Sequence, residues 1–275
     1  GPREMIPRED ASTHPTSPDL TVGVMCEATS QMERAHALAR RLSLPLITGN
    51  DMPVKTGLMV TENGLELRDL SGTGPSETLR PDLVKGALGY RRQHGGGVRQ
   101  ALARAVGVKG RPGLRLLDAT AGLGRDGFML AWLGCSVHLL ERSPIIAALL
   151  EDALARAWEA PELRDVVEAR IELTCGDSIE LLPRLTAGTR WDAIYLDPMY
   201  PERSKAALVK KEMRWLRGLV GPDQDSARLL RVALACTANR VVVKRPKGAP
   251  MLEGPDPSFE IREKNSRFDV YSMPS

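Results

Sequence analysis

From residue 114 onward the chain alternates between two kinds of hydrophobic pattern. Short apolar runs at 114–117, 137–140, 171–174, 193–196 and 240–243 are bounded by turn-forming residues. Runs of that length and setting read as buried strands. Between them, segments at 125–133, from 143 onward, 179–185, 205–219 and 226–235 carry apolar residues at helical spacing. Ser143-Pro144 opens one of these, with serine as N-cap and proline at the first helical position. Two last apolar segments, 259–264 and 267–271, meet at Asn265-Ser266 and read as an antiparallel hairpin. Strands alternating with helices predict an α/β fold with a doubly wound, mostly parallel sheet closed by that hairpin. Ligands of such sheets bind beyond the carboxyl ends of the strands. Asp118, Glu141, Asp177 and Asp197 all fall at or just past those ends.

The pattern before residue 76 is different. Residues 21–26, 44–47, 57–61 and 64–70 read as short strands, the last two joined at Glu62-Asn63 as a hairpin. Residues 31–42 read as a helix capped by Ser30. This predicts a small α+β unit over 20–75. A bridge, Ser71-Gly72-Thr73-Gly74-Pro75-Ser76, separates it from the rest of the chain. Residues 76–112 are expected to form a basic, partly helical, Gly-rich linker, and 113–275 the main domain. The first 19 residues are rich in Pro, Ser, Thr and charge and begin Gly1-Pro2. They are expected to be a disordered extension or an expression remnant outside the fold.

Composition narrows the class. No run of about eighteen apolar residues exists, so no membrane-spanning helix is expected. No basic-then-apolar leader opens the chain, and a cytoplasmic protein is expected. The four cysteines, Cys26, Cys135, Cys175 and Cys236, are far apart and without CxxC spacing, and histidine is scarce. Reduced thiols and no metal site are therefore expected. The net charge of +3 is unevenly spread. Residues 1–80 carry 8 basic and 11 acidic side chains, the remainder 30 and 24. Between residues 83 and 117 there are 8 basic residues and no acid. A second basic cluster, Arg203, Lys205, Lys210, Lys211, Arg214 and Arg217, is interrupted only by Glu212. Such runs are often solvated helix faces, but two of them flanking a candidate site point to a phosphate-bearing partner.

The candidate chemistry sits at two strand ends. Gly122-Leu123-Gly124-Arg125-Asp126-Gly127 matches GxGxxG, which also fits a nicotinamide enzyme. An acid four residues before the first glycine, Asp118, suits the cationic sulfonium of S-adenosylmethionine better than a pyrophosphate. Five parallel strands with a terminal hairpin is the layout of class I, Rossmann-like methyltransferases. Glu141, at the end of the second strand, is placed to accept hydrogen bonds from ribose hydroxyls, with Arg142 beside it. Asp177 could bond an adenine amine or equally cap the next helix.

Asp197-Pro198-Met199-Tyr200 follows the fourth strand. An exocyclic amine on an aromatic base is a poor nucleophile, because its lone pair is delocalised into the ring. Acceptors for its N–H groups redirect that lone pair outward. The Asp197 carboxylate and the Pro198 carbonyl are the candidate acceptors, with Tyr200 stacking on the base. Proline offers no competing N–H and stiffens the loop. Preorganised polarity and positioning supply most of the rate in such a transfer.

Several longer stretches resemble the bacterial small-subunit ribosomal RNA methyltransferase J family. They are Tyr90-Arg91-Arg92-Gln93-His94-Gly95-Gly96-Gly97, Asp118 through Asp126, Ala206 through Met213, and Val241-Val242-Val243-Lys244-Arg245-Pro246. The resemblance runs from about residue 86 to 271. It implies S-adenosylmethionine as methyl donor and the N2 amine of a guanosine in 16S ribosomal RNA as acceptor. It implies donor contacts at Arg125-Asp126, Glu141-Arg142, Asp177-Ser178 and Asp197, the Asp177-Ser178 stretch matching only loosely. It gives the loop around Arg91, Arg92 and His94 an RNA-facing role. Lys210 and Lys211, and Lys244 and Arg245 past the fifth strand, are further candidates for RNA contact. Met199 departs from the Asp-Pro-Pro-Tyr form of many amino methyltransferases. Alternatives on the same motif are a DNA adenine or protein-glutamine amino methyltransferase, or a non-catalytic RNA-binding assembly factor.

Overall fold

The computed structural model describes residues 22–49, 54–72, 77–86, 98–109, 111–198, 225–236 and 238–274. The expected helix at 205–219 and the extension before residue 20 lie outside them.

The main sheet is built from β5 (Arg115–Asp118), β6 (Ser136–Glu141), β7 (Ile171–Cys175), β8 (Trp191–Leu196), β9 (Ala238–Pro246), β10 (Phe259–Arg262) and β11 (Ser266–Ser272). Its order is β10-β11-β9-β8-β5-β6-β7. β7, β6, β5, β8 and β9 run parallel, and β11 pairs antiparallel with both β9 and β10. The expected closing hairpin is therefore present, with its second strand inserted beside β9. The direction of strand order reverses between β5 and β8, which opens a crevice at their carboxyl ends.

Alternation along each strand fills both faces. Leu116, Ala193, Tyr195 and Val242 point into one core layer with helices α2 (Val98–Val106), α3 (Arg125–Trp132), α4 (Pro144–Glu159) and α5 (Arg164–Arg170). Leu117, Ile194, Leu196, Val241 and Val243 point into the other, under α6 (Ser178–Thr186) and α7 (Ser226–Leu234). The long helix predicted from Ser143-Pro144 is α4; it caps at Ala160, before Pro161, and the chain restarts as α5.

The N-terminal sheet has the order β1-β2-β3-β4, from β1 (Val22–Cys26), β2 (Thr56–Thr61), β3 (Gly64–Asp69) and β4 (Thr78–Leu79). β1 and β2 are parallel, bridged by α1 (Met32–Leu42), and β2–β3 is the expected hairpin. The stretch 44–47 makes one isolated bridge, Val24 to Leu46, rather than a strand. Among the described residues of the segment expected as a linker, 76–112, β4 pairs with β3, and Leu102, Ala105 and Val106 of α2 are buried in the main core.

α4 explains how the two sheets meet. Its run Pro144-Ile145-Ile146-Ala147-Ala148-Leu149-Leu150 is apolar on two sides. Leu150, Ala153 and Leu154 face the main sheet, while Ile146, Ala148 and Leu149 join Val24, Leu58 and Leu67 of the N-terminal sheet. Each such leucine contributes roughly 1.5–3 kcal/mol by leaving water. Asp152 seals the contact, accepting from Leu65 N–H at 3.0 Å and Arg156 Nε at 2.9 Å. Leu123, inside the glycine loop, is buried in this same cluster, so the N-terminal sheet buttresses that loop. No described helix is long and apolar enough to cross a membrane.

Candidate active site

Past the end of β5, the chain turns through Ala119-Thr120-Ala121-Gly122 under tight control. Ala119 N–H donates to the Tyr195 carbonyl and Ala121 N–H to the Leu140 carbonyl. Gly122 N–H donates to Glu141 Oε2 at 2.8 Å, and Ser143 N–H to Glu141 Oε1 at 2.9 Å. The buried Glu141 thus pins the glycine loop to the start of α4. Burial pushes its carboxyl up from the usual range, against the pull of the Ser143 and Gly122 N–H groups.

The two glycines that open the motif do different work. Gly122 has φ +55°, and a Cβ there would find only the Thr120 carbonyl, at 3.9 Å. Its bare backbone faces open space. Gly124 has φ +78°, and a Cβ there would sit 2.5 Å from Leu150 Cδ1. That glycine lets the loop pack on α4.

A cleft with about 730 Å³ of empty space, counted to its open mouth, lies at the strand ends. Gly122, Glu141, Arg142, Asp177, Ser178, Asp197 and Pro198 all line it. Asp177 is the N-cap of α6, accepting from Ile179 N–H at 2.9 Å. The Ser178 hydroxyl donates to the Ala119 carbonyl, tying α6 to the turn after β5. Ala119, Thr120, Leu140, Ile146, Ile179, Asp225 and Leu229 complete the walls, and of these Ile146, Ile179, Asp225 and Leu229 carried no distinct signal in the sequence.

Thr120 joins the two motifs. Its hydroxyl accepts from Asp197 N–H at 2.6 Å, holding the Asp-Pro turn against the glycine loop. Behind Asp197 lies a charged cluster. Asp118 is buried at the end of β5 and accepts from Thr120 N–H at 3.1 Å. Burial, together with Asp126, Asp197 and Glu141, pushes its carboxyl well above the usual range. Asp126, in the first turn of α3, accepts from the Tyr195 hydroxyl at 2.6 Å and from Lys244 Nζ at 3.2 Å. Lys244 Nζ also lies 3.7 Å from Asp197 Oδ2. Burial pulls the Lys244 ammonium down, but Asp126 and Asp197 outweigh it and raise its pKa. Burial pushes Asp197 up to about 6, with Lys244 opposing and Asp126 assisting.

Other expected positions fall elsewhere. Arg125 is exposed at the start of α3 and does not line the cleft, and Asp126 is engaged by Tyr195 and Lys244. Arg245 is corrected by the structure: it is only 5% exposed, and its guanidinium donates through Nε and Nη2 to the Pro250 carbonyl. A group so held inside the fold does not face an RNA backbone. Lys244 is likewise turned inward, onto two carboxylates. Tyr200, Met199, Arg91, Arg92, His94, Lys210 and Lys211 lie outside the described residues.

Residues 37–273 match the model of a family described as putative SAM-dependent methyltransferases. The chain is 48% identical over 254 residues to a protein of Nitrosococcus oceani named ribosomal RNA small subunit methyltransferase J, covering 90% of this chain and 97% of that protein. A protein of the same name from Pseudomonas aeruginosa is 48% identical over 261 residues, covering 94% and 97%. The chain belongs to the ribosomal RNA small subunit methyltransferase J family. A crystal structure of a SAM-dependent methyltransferase from Neisseria gonorrhoeae superposes with a TM-score of 0.72 at 34% identity, covering 91% of this chain and 95% of that one. Family membership removes the nicotinamide reading of the glycine loop. The chain's cofactor is S-adenosylmethionine.

Three features of the cleft fit that donor. The Gly122 backbone is bare where a flat ligand must approach closely. Glu141 lines the cleft with a carboxylate held in place by backbone N–H groups, including those of Gly122 and Ser143, which suits it to accept from a ribose hydroxyl. Asp126 and Asp197 face Lys244 at the end of β8, an arrangement in which two carboxylates share one ammonium and which suits a sulfonium cation nearby.

Proposed function

We propose that this chain methylates the exocyclic N2 amine of a guanosine in 16S ribosomal RNA, with Asp197 and Pro198 as the acceptors that activate the amine. One observation carries the reading. Asp197 and Pro198 open onto the same cleft as Gly122 and Glu141, and the Thr120 hydroxyl fixes the Asp197 backbone at 2.6 Å. The name shared by the relatives supplies the class of RNA.

When bound, S-adenosylmethionine supplies an electrophilic methyl group on a sulfonium. Glu141 holds the ribose, the Gly122 backbone lies against the donor's body, and Asp177 is available to the adenine amine. Asp197 carboxylate and Pro198 carbonyl accept the two N–H bonds of the guanine amine, which turns its lone pair toward the methyl group. The reacting nitrogen becomes acidic once methylated, so its proton leaves afterward without a strong base. Asp197 must be ionised to accept, so turnover rises with pH through its value near 6. Arg91, Arg92, His94, Lys210 and Lys211 are proposed to hold the RNA backbone, and Tyr200 to stack on the base.

Nucleoside mass spectrometry of 16S ribosomal RNA from a deletion strain tests this. One N2-methylguanosine should be missing, restored by the wild-type chain and not by Asp197→Ala, which is expected to lose about a hundredfold or more in rate. A deletion strain with its full complement of N2-methylguanosine would overturn the assignment.

A further inference from the structure

The Lys244 side chain was expected at the RNA surface, yet it is folded under the amine-binding turn. Its ammonium touches Asp126 Oδ2 at 3.2 Å and approaches Asp197 Oδ2 at 3.7 Å. Asp126 is itself fixed by the Tyr195 hydroxyl at 2.6 Å, and Tyr195 is a fully buried residue of β8. Register explains the convergence. Tyr195 pairs with Asp118 on one side and Val242 on the other, so Asp197 and Lys244 each stand two residues further along the same face. α3 then lays Asp126 over that face.

We propose that Lys244 is a positioning residue for methyl transfer: anchored by the Asp126–Tyr195 pair, it orients Asp197 and keeps it ionised as an acceptor for the substrate amine. This rests on the role proposed for Asp197 in activating that amine.

The argument is one of geometry and charge balance. Lys244 approaches the Asp197 carboxylate on Oδ2, which leaves Oδ1 for the amine. At 3.7 Å the contact is an ion pair without a close hydrogen bond, so it stabilises the charge without occupying the acceptor. The groups facing Asp197 are Asp126 from α3, Asp118 from β5, Tyr195 from β8 and Lys244 and Arg245 from β9. Arg245 donates to the Pro250 carbonyl and acts on Asp197 through its charge, while Lys244 makes the ion pairs with Asp126 and Asp197. Without Lys244, the cation left acting on Asp197 among the described residues would be Arg245, whose guanidinium is bound to the Pro250 carbonyl. Like charges favour protonation, and a protonated Asp197 is a poorer acceptor.

The experiment is the pH profile of single-turnover methylation for wild type, Lys244→Met, Lys244→Gln and Lys244→Arg, with Asp197→Ala alongside. Removing an opposite charge at this distance moves a carboxyl by about one to three pH units. The wild-type acid limb near 6 should therefore move alkaline in Lys244→Met and Lys244→Gln. A shift of about two units predicts roughly tenfold lower rate at about pH 7, recovering near pH 9. Lys244→Arg should keep the limb near its wild-type position. The Michaelis constant for RNA and its salt dependence should be unchanged in all three. If Lys244→Gln loses rate equally at every pH, or raises the RNA Michaelis constant with a shallower salt slope, Lys244 is a structural or phosphate-binding residue and the proposal fails. Should Lys244→Met melt too low to assay, Lys244→Gln, which can still bond Asp126, decides alone. An active Asp197→Ala would instead sink the role of Asp197 itself, whatever the lysine variants show.

Discussion

Gly122 and Gly124 are two residues apart and both left-handed, but the structure assigns them separable roles, and a pair of alanine variants reads them out. At either position alanine must hold a positive φ, which costs about 1–2 kcal/mol. At Gly122 the new methyl group has only the Thr120 carbonyl near it, at 3.9 Å, so strain is the whole cost to the fold. In a chain of this size that lowers the melting midpoint by about 4 °C. The same methyl group projects into the cleft, where overpacking against a ligand costs about 1–3 kcal/mol, or tenfold and more in affinity. At Gly124 the methyl group would lie 2.5 Å from Leu150 Cδ1, inside a buried cluster. Overpacking there adds about 1–3 kcal/mol to the strain, and the midpoint should fall by about 10 °C. Thermal melts and calorimetric titration with S-adenosylmethionine, at a temperature where both variants are folded, separate the two. Gly122→Ala should lose affinity with a small drop in melting, and Gly124→Ala the reverse. Leu150→Ala combined with Gly124→Ala should be more stable than the two single losses added together, because the clash is gone. If Gly124→Ala loses more donor affinity than Gly122→Ala, the division of labour is wrong.

Thr120→Val replaces the hydroxyl that accepts from Asp197 N–H with a methyl of the same shape. Leaving that N–H unpaired costs about 1–3 kcal/mol, and about a tenfold drop in single-turnover rate is expected with donor affinity largely kept; an unchanged rate would show that the Thr120 bond does not position the turn. Asp118→Asn tests the buried carboxyl by stability against pH. The folded pKa of Asp118 is raised above its ordinary 3.8, so its contribution is most favourable below that value and is lost as pH rises through the folded one. Asparagine keeps the acceptor for Thr120 N–H without the charge, so denaturant titrations should show Asp118→Asn gaining on wild type as pH rises from about 4 toward 8. A constant difference across that range would mean that Asp118 does not titrate as its surroundings demand.

Much of the cleft was legible in the sequence because its parts are local. The glycine loop, Glu141, Asp177 and Asp197-Pro198 each follow an apolar run directly, and a parallel sheet delivers every such strand end to one edge. The alternation of Leu116 with Leu117, and of Tyr195 with Ile194, determined that the sheet would be covered on both faces. What sequence could not supply was where a side chain points once two strands are in register. Tyr195 read as one more apolar strand residue, and only the Asp118–Tyr195–Val242 row places its hydroxyl on Asp126. Lys244 and Arg245 read as neighbours with one task. On a strand, adjacent residues face opposite sides, so one enters the carboxylate cluster and the other is drawn to the Pro250 carbonyl. Likewise α2 read as part of a basic linker, while Leu102, Ala105 and Val106 find their core partners far away in the chain. Sequence determined the strands, the motifs and the order in which they meet the edge. Tertiary structure decided which charges are exposed to a substrate and which are spent on each other, because that depends on contacts between residues more than a hundred positions apart, such as Asp126 and Lys244.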